Sequence, residues 1–588
     1  MSKRPVRIAN ISGFFGDRPT ALREQLEGGE IDVLSGDYLA ELTMLILAKT
    51  RSRRADGGFA RTFVRALDDV LELIVDRQVK VVVNAGGLDP LGAAQAVRSS
   101  LGEQGLEARV ASISGDDLIG RLADLQSGGE AFVNLQTGAP LGELREEVVT
   151  ANAYLGGWGI AGALAAGADI VITGRVADAC VVSGPAAWWH GWDRYDYDRL
   201  AGAIAAGHVI ECGMQATGGN YAFFTEIDDM SYPAFPWAEI ADDGSSVIGK
   251  HDGFGGRVSV GTVVSQLLYE IGPPAYLAPD VIARFDTARI EEIGRDRVAI
   301  TDTRGEPPPH TLKVAASTVG GYRNSMLFGL TGLDIPAKAQ VLSEQIWEAL
   351  PWQRDDYDEV EEGLIGRATT DATSNSEATI LYRIAVKSND EQRVGRAFSS
   401  GAVSTLLGSI PGLFIVEPPG PATEFARYWP TTVDRSAVMQ QVDLDGESLE
   451  VAETVPRPGA PVEPPAIELP AAPGGPTRRV QLGVLFGARS GDKGGTANVG
   501  VFARSPDAYA WLQEALTVDR LRSLLPDMAE LPIERFELPN LWSLNFLVHG
   551  LLGEGVSSSL RLDAQAKGLG EYLRACHMEI PEALLDRT

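Results

Sequence analysis

One repeating pattern dominates the first 180 residues: a short apolar strand ends in a glycine-rich loop, and a helix follows. Four strands show it, each with its loop: Val6–Ile11 before 12–17, Lys80–Val83 before 84–90, Ala108–Ile113 before 114–116, and Asp169–Thr173 before 174–178. Short continuous apolar strands are typical of parallel sheets that are covered on both faces. Because ligands of such sheets bind at the carboxyl ends of the strands, we expect functional residues in these loops.

The remaining sequence predicts a second lobe and a separate C-terminal domain. Residues 190–330 are irregular and rich in Gly, Pro and aromatic residues, so we interpret 1–455 as one α/β body with a second lobe whose boundary the pattern does not give. Residues 456–476 hold eight prolines in 21 positions, as expected of a semi-rigid linker. Alternation at 480–486 and 542–548, with a helical pattern at 509–516, then predicts a small α+β domain over 477–588.

Charge and cysteine content exclude several classes of function. The chain has 80 acidic and 51 basic residues, a net charge of −29, which argues against nucleic acid or an anionic membrane as a main partner. Three scattered cysteines suit neither a disulfide framework nor a zinc module. No apolar stretch has the length of a membrane span, and the first residues lack a signal-peptide core, so we expect a cytoplasmic protein.

The segment Gly487–Asn498 carries the clearest local motif. Its glycines would let backbone N–H groups converge on an anion, and Arg489 and Lys493 would supply positive charge. The spacing differs from that of a P-loop. One interpretation is therefore a site for a phosphate or carboxylate, such as the phosphates of coenzyme A. The other is a hairpin whose Gly-Asp-Lys-Gly tip is a solvated turn.

A second motif lies around Glu211. On a helix, His208, Glu211 and Cys212 would share one face, which could make Glu211 a general acid or base or could hold a metal ion. Further metal ligands are not evident in a chain with six histidines, so we predict no metal site. His208 alone is equally consistent with a buried polar residue, and Asn220, in the glycine loop that follows, is a candidate substrate-binding residue.

Other loops supply further candidates, each with a structural alternative. His251, in a glycine-rich loop, could titrate near neutral pH beside Glu211, or could simply be exposed. Arg175 and Asp178 could bind a substrate carboxylate, or form a structural ion pair.

The loop after the second predicted strand offers an oxyanion site. Asn84, Gly86 and Gly87 could donate hydrogen bonds to an oxyanion, or could form only a tight turn. Asn545, on the polar face of strand 542–548, is a candidate ligand-binding residue. The chain has no Gly-x-Ser-x-Gly elbow, and the loop after the first strand lacks a full Gly-x-Gly-x-x-Gly, so neither a serine hydrolase nor a dinucleotide cofactor is predicted.

Taken together, these loops resemble the acyclic terpene utilization family, AtuA, over residues 4–450. The segments that carry the resemblance are Asn84–Pro90, Ile172–Asp178, Glu211–Asn220, Lys250–His251 with Gly255–Gly256, and Gln266–Pro274. Residues 480–580 resemble the small ferredoxin-like domain that accompanies AtuA, with Arg489–Gly494 and Leu538–Leu541 as its marks.

The resemblance implies a role in the breakdown of branched-chain or isoprenoid acyl-CoA esters, of the acyclic terpene or leucine type. We predict a homo-oligomeric hydratase or lyase that acts on a CoA thioester, with coenzyme A entering only as part of the substrate. In that scheme Glu211 is the general acid or base with His251 as partner, Arg175 holds a carboxylate, and Asn84 polarises the thioester carbonyl.

Two alternatives remain open from the sequence. The first is a non-catalytic acyl-CoA-binding subunit that scaffolds pathway enzymes such as a biotin-dependent carboxylase. The second is a metal-dependent hydrolase.

Overall fold

The computed structural model describes residues 3–54, 57–367 and 369–586. The chain up to residue 210 alternates strands and helices as follows: β1 (Val6–Ser12), α1 (Ala21–Gly28), β2 (Val33–Gly36), α2 (Glu41–Arg53), α3 (Arg61–Asp68), α4 (Leu71–Arg77), β3 (Lys80–Val83), α5 (Pro90–Gln104), β4 (Val110–Ser114), α6 (Leu122–Ser127), β5 (Val148–Ala153), α7 (Trp158–Ala165), β6 (Ile170–Thr173), α8 (Cys180–His190) and α9 (Tyr197–Ile210).

Strands predominate in the next part of the chain. Its elements are β7 (Pro236–Ile240), β8 (Ser246–Lys250), α10 (Val260–Leu267), β9 (Ala275–Leu277), β10 (Ile282–Arg284), β11 (Arg289–Gly294), β12 (Arg297–Thr301), β13 (Arg304–Glu306), β14 (Thr311–Thr331), α11 (Ile335–Ala349), β15 (Glu359–Ile365), β16 (Thr379–Ser388), α12 (Glu391–Val394), α13 (Arg396–Ser404), β17 (Leu413–Ile415), β18 (Thr423–Asp434), β19 (Met439–Leu444) and β20 (Glu447–Ala452).

The C-terminal domain follows a segment, 453–476, without helix or strand. Its elements are β21 (Thr477–Gln481), β22 (Gly487–Lys493), β23 (Thr496–Phe502), α14 (Pro506–Ala515), α15 (Val518–Leu524), β24 (Ile533–Leu538), β25 (Ser543–Val548), α16 (Leu569–Ala575), β26 (His577–Pro581) and α17 (Glu582–Leu585).

The body is built on an 11-stranded sheet in the order β11-β12-β8-β7-β1-β2-β3-β6-β4-β19-β20. The central strands β1, β2, β3, β6 and β4 are parallel, and antiparallel strands extend both edges. The α/β class and the four predicted parallel strands are confirmed, but the sheet is mixed rather than parallel throughout. Apolar cores cover both faces of its parallel centre. The central strands therefore consist of consecutive apolar residues.

The second lobe grows out of the 21-residue strand β14. The amino-terminal half of β14 pairs with β5 and β18, next to the body, whereas its carboxyl-terminal half pairs with β16 and β17. That distal half has a separate apolar core, in which Phe328, Leu342 and Phe398 are fully buried. One continuous strand therefore ties the second lobe to the body.

The C-terminal domain is ferredoxin-like, with a four-stranded antiparallel sheet in the order β22-β23-β25-β24 and helices packed on one face. The strand predicted over 480–486 is only partly formed. It stops at Gln481, and a 3-10 turn over Leu482–Val484 exposes half of Val484, so the apolar alternation there belongs to a turn.

The proline-rich segment is attached to the body through Arg457, which stacks on the Tyr195 ring, and through Val462. Val462 donates its N–H to Glu306 Oε1 at 2.9 Å and accepts a hydrogen bond from Arg284. The domain boundaries at 455 and 476 stay a prediction. Within the described part of the chain, no helix combines the length and apolar character needed to cross a membrane.

Candidate active site

The loops after β3 and β6 meet at the carboxyl edge of the parallel strands, as the sequence predicts, and the loop after β2 joins them there. Asn84 is fully buried there; its amide donates to the Asp37 carboxylate and accepts the Tyr38 N–H at 2.7 Å. The amide of Gly86 donates to Thr173 O at 3.0 Å. The amide of Gly87, whose φ is +52°, donates to Asn84 O at 3.3 Å. Each of these groups makes a hydrogen bond within the protein, which favours a tight turn that holds Asp37, and the oxyanion site stays a prediction.

Arg175 and Asp178 form an ion pair at the end of β6. Arg175 Nη2 lies 3.0 Å from Asp178 Oδ1, Nη1 donates to Leu39 O at 2.7 Å, and the guanidinium stacks on the Tyr154 ring at 4.2 Å. The Arg175 side chain is 4% exposed, whereas that of Asp178 is 29% exposed. Arg175 is therefore a structural partner rather than the predicted carboxylate ligand, and Asp178 is the member of the pair that ligands can reach.

Glu211 and His208 come together at the end of α9, as their spacing predicts. His208 Nδ1 lies 3.1 Å from Glu211 Oε1, although the angles do not make a hydrogen bond. Both side chains are buried, and the imidazole packs against the rings of Tyr276 and Phe285. Within the described residues, neither nitrogen of His208 nor Glu211 Oε2 has a hydrogen-bond partner. Such unsatisfied buried groups are costly to the fold and are common at functional sites.

The surroundings fix the protonation of this pair. Burial raises the pKa of Glu211 well above its usual value, and the negative charges of Asp178 and Glu270 add to the effect, against the opposing charges of Arg175 and Lys493. Burial lowers the pKa of His208 to about 4. Burial therefore favours the protonated form of Glu211 and the neutral form of His208.

This protonation state predicts how Glu211 affects stability. The carboxyl loses its proton near pH 4.3 in the unfolded chain but only at higher pH in the folded one, so the unfolded state binds fewer protons in between. The contribution of Glu211 to the free energy of unfolding therefore decreases as pH rises above its pKa in the unfolded chain. We expect Glu211→Gln, which cannot ionise, to gain stability relative to the wild type between pH 5 and 8, measured by urea unfolding. A constant difference across that range would contradict the assignment.

Lys493 enters the site from the β22–β23 hairpin of the C-terminal domain. Its Nζ donates to Glu270 O at 3.1 Å, and the side chain remains exposed. Desolvation, with the nearby charge of Lys313, nevertheless lowers the pKa of Lys493 to about 8. Lys493 therefore lies where the hairpin tip meets the body, at a place that remains open to solvent and is here called the recess. The motif is therefore a hairpin, but its tip packs into the body and is not a solvated turn.

Arg489 does not accompany Lys493 into the recess. Its guanidinium stacks on the Tyr269 ring at 4.1 Å and donates to the Gln215 side chain, and the residue is only 5% exposed. The prediction that Arg489 and Lys493 bind one anion together is not supported by this geometry. Arg489 docks the hairpin onto the body.

Asn545 has a docking role as well. It is fully buried, and its Nδ2 donates to Gly272 O at 2.8 Å. Its Oδ1 accepts a hydrogen bond from Asn498, which also accepts the Glu270 N–H at 2.8 Å. These two asparagines hold the segment that contains Glu270, so the structure does not support Asn545 as a ligand-binding residue.

His251 and Asn220 are not brought to Glu211. The ring of His251 packs against Gly28 and Gly29 so closely that a Cβ on either would come within 2.9 Å of it. Burial lowers the pKa of His251 to about 4, with Arg7 adding to the effect. The predicted pairing with Glu211 is therefore wrong. Asn220 is exposed at the end of a 3-10 turn with φ of +58°, a conformation that Asn tolerates well.

Several residues of the site carried no sequence signal. Glu270 has φ of +55°, and its carboxylate accepts a hydrogen bond from Lys567 of the C-terminal domain at 2.9 Å. Glu41 and Lys313 line the same region, and the charges of Lys313 and Arg175 hold the pKa of Glu41 below its usual value although burial opposes them. The segment Gln266–Pro274 was noted only for the family resemblance.

No group of three or more His, Cys, Asp or Glu side chains within residues 3–54, 57–367 and 369–586 is arranged to hold a metal ion. The same residues bring together a buried carboxyl with a raised pKa, a second carboxyl that is partly exposed, and an accessible amine. The protein is thus of the α/β class, with a ferredoxin-like domain whose hairpin packs against the body beside these groups.

Comparison with known families agrees with that architecture. Residues 6–444 match the acyclic terpene utilisation family protein AtuA, and residues 480–579 match the AtuA ferredoxin-like domain. The chain belongs to the AtuA family, which associates it with acyclic terpene utilisation. No curated protein and no solved structure gives a significant match.

Proposed function

We propose that the protein is a hydratase or lyase that acts on a branched-chain or isoprenoid acyl-CoA thioester. The observation that carries the proposal is the buried Glu211, whose Oε2 has no hydrogen-bond partner within the described residues and whose pKa is raised beside Asp178. Two carboxyl groups in different environments, one buried and the other 29% exposed and paired with Arg175, are suited to an acid and a base.

The proposed chemistry is the addition of water across the double bond of an enoyl thioester, or its reverse. Asp178 takes a proton from water, the water oxygen bonds to Cβ, and Glu211 gives its proton to Cα. The negative charge of Asp178 helps Glu211 to keep its proton before the reaction. Burial raises the pKa of Asp178, and the charge of Arg175 opposes that increase and so favours the ionised form of Asp178.

The proposal needs no cofactor beyond the coenzyme A of the substrate. A cytoplasmic location, a homo-oligomeric state and association with a carboxylase stay predictions.

The direct test is turnover of a panel of methyl-branched and prenyl enoyl-CoA and 3-hydroxyacyl-CoA esters, followed by mass spectrometry. Gain or loss of 18 Da by at least one ester supports the proposal. If the purified protein leaves the whole panel unchanged but co-purifies with a carboxylase, the scaffolding alternative is favoured instead.

A further inference from the structure

Two lysines from different parts of the fold face the same recess. Lys313 lies on β14, and its Nζ is 4.6 Å from the centre of the Tyr154 ring and 6.0 Å from that of Tyr428. Lys493 comes from the C-terminal hairpin. The next residue, Gly494, packs so tightly on Tyr428 that a Cβ there would come within 2.9 Å of the ring. The Tyr428 ring therefore lies beside both the Lys313 amine and the backbone next to Lys493, and the charge of Lys313 helps to lower the pKa of Lys493.

Neither lysine has a carboxylate at salt-bridge distance among the residues that the structure describes. Lys493 donates only to a backbone carbonyl, that of Glu270. Enclosed ammonium groups are normally paired with anions because leaving water is costly for them. These two lysines can therefore bind an anion that is not part of the chain.

The carboxylates around the recess are engaged elsewhere. Glu270 is paired with Lys567 at 2.9 Å, and Asp178 with Arg175 at 3.0 Å. Glu41, whose nearest hydrogen-bond partner is the Tyr154 hydroxyl at 3.5 Å, offsets part of the positive charge of Lys313. In addition, the buried hydroxyl of Tyr428 lies close to Lys313 and to Glu41, and it helps to lower the pKa of Glu41.

We propose that Lys313 and Lys493, with the Tyr428 hydroxyl, bind an anionic group of the ligand where the second lobe meets the C-terminal domain. The group is a carboxylate or a phosphate. In a thioester substrate these correspond to a free carboxylate on the acyl chain or to a phosphate of coenzyme A. That assignment of the ligand rests on the proposed function, but the binding site can be tested without turnover.

The test is calorimetric titration of the full-length protein with glutarate, inorganic phosphate and coenzyme A, each against wild type, Lys313→Met and Lys493→Met. We expect at least one of the three to bind the wild type, with affinity reduced about tenfold or more in each variant, since each loses a charge-assisted hydrogen bond. A loss confined to glutarate identifies an acyl carboxylate, whereas a loss for coenzyme A and phosphate identifies a phosphate.

Two control variants test whether the loss of affinity is specific to the charges of these two lysines. Lys338→Met removes a half-buried lysine in the second lobe that also donates only to a carbonyl, Thr331 O at 2.7 Å, and should leave affinity unchanged. Lys493→Arg keeps the charge and should retain most of the binding. The proposal is overturned if none of the anions binds the wild type, or if the Lys313→Met/Lys493→Met double variant binds them all with wild-type affinity. Either result would leave the turnover test unaffected.

Discussion

Glu211→Gln is expected to lower turnover of the thioester by about 10²–10⁴-fold, the usual contribution of a general acid. Glutamine preserves the shape of the side chain but has no proton that it can transfer. Because Glu211 is buried and its raised pKa favours the neutral form, a neutral side chain of the same shape should not unfold the protein. The measurement is kcat on the best ester of the panel, with circular dichroism to check the fold.

Glu344→Gln is the matched control, because this glutamate lies exposed on α11 of the second lobe. It should keep wild-type activity. Wild-type kcat in Glu211→Gln would remove Glu211 from the mechanism. A loss of kcat in both variants to a similar degree would show that the effect is not specific to the site.

The pH profile separates proton transfer from a structural role. If Glu211 acts as an acid, kcat falls as pH rises through its raised pKa, and Glu211→Gln should lack that limb of the profile. Asp178→Asn should instead remove the limb on the acidic side. Identical profiles for wild type and both variants would argue that neither carboxyl transfers a proton.

Local patterns predicted the parallel centre of the body well. Strands β3 and β6 are short apolar segments that lead into glycine-rich loops. The pairing of His208 with Glu211 follows from their spacing of three positions at the end of one helix. Strand β2 was missed because its four residues, Val33–Gly36, end in serine and glycine and show no apolar run. Each of these features is determined by residues that lie within a few positions of one another in the sequence.

The rest of the site depends on contacts that no local pattern encodes. Lys493 and Glu270 are 223 positions apart, and they meet only because the C-terminal sheet docks on the body. That docking also determines which polar residues can reach a ligand. The sequence predicts Arg489 and Asn545 as ligand-binding residues. Both instead donate hydrogen bonds that hold the C-terminal domain against the body.

Gly500→Val is expected to cost about 1–3 kcal/mol of stability and to lower kcat by about 10²-fold, by forcing the two domains apart. A Cβ at position 500 would stand 2.6 Å from the Cβ of Leu268, which leaves no room for a valine side chain. Separation there also breaks the hydrogen bonds of Asn498 to Leu268 O at 3.0 Å and from Glu270 N at 2.8 Å. Lys493, on the same hairpin, would then withdraw from the recess.

Gly363→Val provides the matched control. Gly363 also lies within a strand, β15, but a Cβ built there has no heavy atom within 4 Å, so valine fits without displacing a neighbour. Thermal unfolding and kcat should both stay near the wild type in this variant. If Gly500→Val kept wild-type kcat, the C-terminal domain would not complete the active site. If it lost stability but not activity, the interface would contribute to folding alone, and the acid and base of the body would suffice for the chemistry.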